Sequence, residues 1–332
     1  MDYVICIDSM RVVVYRRGMG IVMNDVCKVA YRRDKLGRIR IEAVGSDAQK
    51  MASKRGGELA SRALHFATPC PLLHGSDSDV TIQYIKEILK GVEATKKCSC
   101  LFLVPVSLSP KELHIYRSHV FAAGVYSAHF IPSSVALVSA FAETGSTALV
   151  IHVGGDRAEE SIIFDNQIIA GGHLDIGLSH QIEQIRGAIR RQGVDISVAE
   201  ARRVYHDTCT LVVGDTATTR FRGTDMRTSQ IVDGTFSASD ALEVLLPPFQ
   251  KMARSAKKFL EDAHPQIRDQ IKQSGNIFLS GAGSAIPGIT ELFRSELGLP
   301  VVTGPDPDVA HIKAASRIMN DEKLLKTISE LN

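Results

Sequence analysis

Twice in this chain three short apolar strands run in succession and are then followed by helices alternating with single strands. That repeated order limits the fold more than any single motif does. The first run is Tyr3 to Ile7, Arg11 to Tyr15 and Gly20 to Tyr31, with turns at Asp8 to Met10 and Arg17 to Gly18. A polar, helix-compatible stretch from Ser46 to His65 follows, and then Val80 to Lys97, whose Ile82, Ile85, Ile88, Leu89 and Val92 fall at helical spacing. Leu101 to Val106 reads as a buried strand, Ser109-Pro110 as the cap and first residue of a helix, Val125 to Ile131 as a strand and Ser133 to Ala142 as a helix. The second run is Ala148 to Val153, Glu160 to Phe164 and Gln167 to Gly171, turning at Asp165-Asn166. Helices are expected over Asp175 to Gln192, Ser197 to His206 and Ser239 to Ala263, around a polar β-like insert from Leu211 to Val232. Strand Ile277 to Leu279, helix Gly288 to Glu296, strand Val301-Val302 and helix Val309 to Met319 close the chain. Two related α/β halves facing a cleft satisfy this order, with ligands where strand ends meet loops.

The segment Asn276 to Gly288, NIFLSGAGSAIPG, is an apolar strand that breaks into glycines before a helix. Without a Cβ, Gly281 and Gly283 let backbone amides approach a phosphate or nucleotide. For an isolated GxG, a tight strand-to-helix turn is the favoured reading. A second glycine turn at Val153 to Gly155, also after an apolar strand, strengthens the ligand reading.

Composition narrows the partners. With 332 residues, 44% hydrophobic and 23% charged, the chain can bury two cores. The net charge is only +2 and basic residues come in short pairs such as Arg16-Arg17 and Arg32-Arg33, which argues against a dedicated nucleic-acid binder. Six irregularly spaced cysteines read as reduced core thiols and favour the cytoplasm. Cys98 and Cys100 with His114 make a poor zinc signature, so no metal site is assigned. The first residues enter an apolar strand rather than a signal peptide, and no apolar run approaches the ~20 residues a bilayer span needs. Membrane contact is expected to be weak and peripheral at most.

Taken together, the glycine turns and duplicated strand runs resemble the actin and chaperone ATPase superfamily, and in detail its bacterial branch, the MreB actins. Gly20 to Asp25 resembles GIVxNE; Val44-Gly45 with Ala48, Met51 and Lys54 resembles VGxxAxxMxGK; Pro105-Val106 with Pro110 and Glu112 is similar to VPVG…ERRA. Ile169-Ala170-Gly171 with Asp175 resembles IAGDxxD, Ala199-Glu200 with Arg203 resembles AExxK, and Leu279 to Ser284 with Gly288 resembles LTGGGSLLRG. The similarity runs over essentially the whole chain. It implies an α/β, actin-like fold: two related ribonuclease H-like domains facing a nucleotide cleft, over residues 1–145 and 146–332, with smaller subdomains at about 32–70 and 180–238.

The resemblance implies ATP or ADP held by Asp8, Ser9 and Arg11 on one side, Gly154, Gly155 and Asp156 on the other, and Gly171, Gly172, Glu200, Arg203, Gly281, Ala282, Gly283 and Ser284 around the nucleoside, with Glu112 as the catalytic candidate. The departures lie on the phosphate side. The family's DLGTxNT becomes Asp8-Ser9-Met10-Arg11, two residues shorter and without its glycine. Its VDIGGGTTE becomes Ile151 to Glu159, with His152 in place of the metal-organising aspartate and Ala158 in place of a threonine. The aspartate-glycine between the domains reads His74-Gly75, and the ribose-side glutamate reads Tyr205, which can meet a nucleoside or pack a helix. Magnesium is left uncertain. Losing several positioning groups together suppresses phosphoryl transfer more than losing one, so whether the chain is an enzyme stays open. The expected function is a cytoplasmic, MreB-like cytoskeletal protein that forms or joins filaments for cell shape or morphogenesis, with nucleotide binding and weak or lost hydrolysis. Its partners would be itself and cell-morphogenesis proteins. The alternatives are an active ATP-hydrolysing filament protein and a non-polymerising adaptor of a division or morphogenesis complex.

Overall fold

The computed structural model describes residues 1–53, 64–70, 77–95, 97–141 and 145–331. The expectations for Lys54, for the rest of the helical stretch to residue 63, and for His74-Gly75 lie outside these residues. The described chain forms two units, one of Met1–Gly145, Asp165–Ile168 and His311–Asn332, the other of Ser146–Phe164 and Ile169–Ala310.

In the first unit, strands β1 (Tyr3–Ile7), β2 (Arg11–Arg16) and β3 (Gly20–Val26) form an antiparallel meander, and β7 (Ser99–Val104) and β8 (Ser127–Pro132) continue it in parallel, in the order β3-β2-β1-β7-β8. β7 ends at Pro105, which has no N–H for the ladder. Helix α2 (Ser78–Gly91) packs Val80, Tyr84, Ile85 and Ile88 inward; it stops well short of Lys97, because Glu93 adopts a left-handed φ of 53°. Helix α3 (Pro110–Ala122) starts on a complete capping box between Ser109 and Glu112. Its Tyr116 and Val120 face the core, where Tyr116 meets Phe102 and Phe130 edge-on, while Phe121 faces solvent. Helix α4 (Ser133–Phe141) follows β8.

The expected third strand to Tyr31 is two strands. At Cys27-Lys28 the chain leaves the main sheet, and β4 (Val29–Arg33) joins β5 (Ile39–Val44) and β6 (Leu64–Ala67) in a separate sheet, β5-β4-β6. The carboxylate of Asp25 accepts from the Val26 and Ser46 amides at 2.7 and 2.9 Å, tying the departure point to the start of helix α1 (Gly45–Ser53).

The second unit repeats the topology. β9 (Thr147–Val153), β10 (Ala158–Phe164) and β11 (Gln167–Leu174) form the meander, and β15 (Ile277–Ser280) and β16 (Val302–Thr303) extend it in parallel, in the order β11-β10-β9-β15-β16. Asp165 and Asn166, at φ 45° and 64°, make the left-handed two-residue turn this hairpin demands. Helix α5 (Leu178–Arg191) buries Ile182, Ile185 and Ile189; α6 (Val198–Thr208) and α7 (Ala238–Glu261) pack beside it. The polar insert is the hairpin β13 (Thr218–Asp225) and β14 (Ile231–Ser237), with β12 (Val194–Asp195) at its edge. A further helix, α8 (Pro265–Ser274), begins with proline at its first turn, ends at left-handed Gly275 and precedes β15; α9 (Ile289–Leu297) follows the glycine loop.

The expectation gave the second half everything from 146 to 332. Instead, α10 (Ala310–Ile318) and α11 (Glu322–Leu331) largely belong to the first unit, where α11 packs on β8 and His129 Nδ1 lies 3.3 Å from Ser329 Oγ.

Candidate functional site

Both meanders turn sharply between their first two strands, and the two turns dispose of their hydrogen bonds in opposite ways. In the first, Asp8 Oδ1 accepts from the amides of Met10 at 2.6 Å and Arg11 at 2.8 Å, while the Asp8 amide donates to the Arg11 carbonyl at 3.0 Å. An aspartate thus fills its own turn with a negative charge. The amides of Asp8, Met10 and Arg11 are thereby already satisfied. Ser9 Oγ is buried and has no hydrogen-bond partner among the described residues.

In the second turn the carbonyls are used instead. Gly154 O accepts from the Leu178 amide at 3.0 Å and Gly155 O from the Ser179 amide at 2.8 Å, so the turn caps the exposed N–H groups at the start of α5. A peptide is planar and trans, with its N–H opposite its C=O. No cis bond occurs in the described chain. The Gly154–Gly155 and Gly155–Asp156 peptides both aim their carbonyls at α5, so the N–H groups of Gly155 and Asp156 both point away from it. Neither amide has an acceptor among the described residues. Gly155 is itself buried. Two successive amides aimed the same way form an anion-binding nest, and a buried N–H of this kind is met by water or a ligand oxygen.

Glycine at 177 makes this docking possible. A Cβ there would stand 2.5 Å from the Gly155 carbonyl oxygen and 2.6 Å from the Arg157 nitrogen, closer than real carbon atoms come. Side chains then frame the turn. Ser179 Oγ donates to Asp156 Oδ1 at 2.7 Å, and the Arg157 guanidinium pairs with Asp175 at 3.3 Å. At the root, β9 and β15 run in parallel with His152 opposite Ser280, and His152 Nδ1 lies 3.0 Å from Ser280 Oγ.

The glycine loop lies against the same root. Gly281, at φ 98°, would drive a Cβ into the Val153 backbone, and a Cβ on Gly283 would stand 2.5 Å from Val153 Cγ1. These glycines therefore seat the loop on the end of β9. Ser284 is buried in the short 3-10 turn Ala282–Ser284, and its hydroxyl donates to the Gly281 carbonyl at 2.7 Å. The loop is also held from α5 and α6. Tyr205 donates to Gln181 Oε1 at 2.5 Å, and Gln181 Nε2 donates to the Gly283 carbonyl at 3.4 Å. Burial pushes the Tyr205 phenol well above its ordinary range, so it stays a donor.

The structure thus brings Gly154, Gly155 and Asp156 together with Gly281, Ala282, Gly283 and Ser284 around Val153. The remaining expected residues are engaged elsewhere. Gly171 and Gly172 lie within β11, with Gly172 facing Phe259. Arg203 pairs with Glu200 and Asp207 and also bonds Thr219 and the Arg220 carbonyl; Glu200 accepts from the Arg222 amide at 3.0 Å. The Arg203 guanidinium holds the Glu200 carboxyl below its usual range. Together they clamp α6 to β13. In the first unit, Glu112 Oε2 accepts from the Ser109 amide at 2.8 Å and its hydroxyl at 2.5 Å, completing the helix cap. Gly177, Ser179, Gln181 and Ser280 were missed by sequence reasoning. A glycine two residues before a helical serine was the one signal available for the first two.

The open amides of Gly155 and Asp156 together offer donors to an anion. A family model described as MreB/Mbl protein matches residues 2–327. The cell shape-determining protein MreB of Escherichia coli (strain K12) is 26% identical over 322 residues, covering 92% of this chain and 89% of the relative. The cell shape-determining protein Mbl of Bacillus subtilis (strain 168) is 22% identical, covering 98% of each. Among solved structures, MreB5 of Spiroplasma citri bound to ADP superposes with a TM-score of 0.84 at 21% identity, covering 99% of this chain and 98% of that one. The MamK double helical filament superposes at 0.74 with 16% identity, covering 96% and 98%. These structural likenesses establish an actin-like fold.

Proposed function

The chain belongs to the MreB/Mbl family, and from that membership we propose that it is an actin-like cytoskeletal protein of the bacterial cytoplasm, assembling into filaments that serve cell shape. Its nucleotide, ADP or ATP, sits with its phosphates on the open amides of Gly155 and Asp156. That pair of buried-side donors, with both carbonyls anchored on α5, is the observation that carries the binding site. The glycine loop Gly281 to Ser284, seated on Val153, supplies the nucleoside side.

Hydrolysis is weak in this reading. Efficient phosphoryl transfer needs a free base and charge-neutralising groups placed at the phosphate. Here the carboxylates of Asp8 and Glu112 are bound to their own backbone turns, and His152 is bound to Ser280. Filament formation then follows protein concentration more than nucleotide turnover.

Sedimentation and electron microscopy of the purified chain with ATP, ADP or neither test the proposal. Filaments in all three conditions are the expected result. A monomer that persists at high concentration in every condition would remove the filament reading, and Glu112-dependent phosphate release would remove the weak-hydrolysis reading.

A further inference from the structure

We infer that the second unit takes its nucleotide phosphate as the metal-free anion, with no divalent ion in the site. This rests on the nucleotide reading above and specifies which form of the ligand that site accepts. Magnesium demands near-octahedral oxygen ligands and gives up water reluctantly, so a protein holds it through free carboxylates beside the phosphate. The second turn carries one carboxylate, Asp156, and Ser179 Oγ already binds its Oδ1 at 2.7 Å. Its root offers the His152 imidazole, a nitrogen donor already 3.0 Å from Ser280 Oγ, and opposite it in the β9–β10 ladder the buried Glu159, which is itself engaged. The nearby carboxylate of Asp175 is paired with Arg157 at 3.3 Å. Among the described residues, no three His, Cys, Asp or Glu side chains converge as a metal site. The residues present do not fit magnesium.

What the turn's open backbone offers instead is suited to an anion. Two backbone N–H groups point one way, and the turn's own cation, Arg157, is covalently next to them. Backbone donors of this kind hold a phosphate oxygen directly and do not require a divalent ion beside it. The metal-free nucleotide therefore binds at least as well as its magnesium complex, which makes the site the inverse of one built around a metal.

Isothermal titration calorimetry of the full chain with ADP, in excess magnesium and in excess EDTA, tests this directly. The expected affinity in EDTA is equal to or tighter than that in magnesium. Weakening by more than about threefold in EDTA overturns the inference while leaving nucleotide binding intact. Absence of binding in both buffers overturns the nucleotide reading itself and this inference with it. His152→Asp supplies the missing oxygen donor at the root, and in that variant EDTA is expected to weaken ADP binding by about tenfold. A folded His152→Asp protein that remains indifferent to EDTA would show that position 152 does not exclude the metal, and the argument would fail.

Discussion

The hydroxyl of Tyr205 donates to Oε1 of Gln181 across 2.5 Å of protein interior, and the same amide reaches the carbonyl of Gly283. Gln181 is fully buried. Tyr205→Phe keeps the ring and removes the donor, leaving a buried acceptor unpaired at a cost of about 1–3 kcal/mol. Urea unfolding should show that loss, and ADP affinity should fall with it because the glycine loop loses its tether. Unchanged stability would mean the phenol contributes packing alone.

Two glycines beside α5 should respond oppositely to the same substitution. Gly177→Ala forces a Cβ against the Gly155 carbonyl and Arg157 nitrogen, and is expected to cost about 1–3 kcal/mol while weakening nucleotide binding. Gly187→Ala, within α5, meets only the tip of Arg191 at 3.9 Å, and is expected to stabilise by about 0.5–1 kcal/mol. Thermal melts of both variants decide the matter, and equal shifts would refute the close docking of turn and helix.

Glu160, on β10, is 4% exposed; Ser255 Oγ donates to its Oε2 at 3.1 Å, and its Oε1 has no hydrogen-bond partner among the described residues. Burial pushes its carboxyl up to about 7 from 4.5. The folded chain therefore holds this proton more tightly than the unfolded chain does. Its stabilising contribution is complete below the unfolded value and is lost as pH rises towards about 7, by of order 2–3 kcal/mol. Urea titrations across about pH 5 to 8 should show this decline, and Glu160→Gln should flatten it. Identical slopes for the two proteins would rule Glu160 out as its source.

Glu112 completes a helix cap, so its loss should register in stability before it registers in turnover. Glu112→Ala is expected to cost about 1 kcal/mol, seen as a lower melting temperature. Phosphate release with magnesium and ATP should change little. A collapse of turnover in a well-folded variant would make Glu112 the general base.

Local features of this molecule were legible because they depend on neighbours in sequence. Ser109-Pro110 announced its helix, and Asp165-Asn166 its left-handed turn. Gly281 and Gly283 marked a strand-to-helix loop, where their missing Cβ atoms make room for Val153. What escaped reading depends on groups distant in the chain. Nothing local shows that β3 and β4 belong to different sheets, since their separation at Cys27-Lys28 is fixed by Asp25 reaching Ser46. The residues of helices α10 and α11 gave no sign that they return to the first unit. Only the hydrogen bonds reveal that Asp8 binds the Met10 and Arg11 amides of its own turn while the Gly155 and Asp156 amides stay open.

The docking of the second turn on α5 also has a mechanical side. A peptide plane resists twisting at its centre, so the N–H of Gly155 cannot be pulled without swinging the carbonyl of Gly154 at the other edge of the same plate. The Gly155–Asp156 peptide is a second such plate, hinged to the first at a single α-carbon. Both plates grip the leading amides of α5. A ligand settling on one side is thus felt as a push or a pull on the helix at the other, through two rigid levers and no intervening side chain.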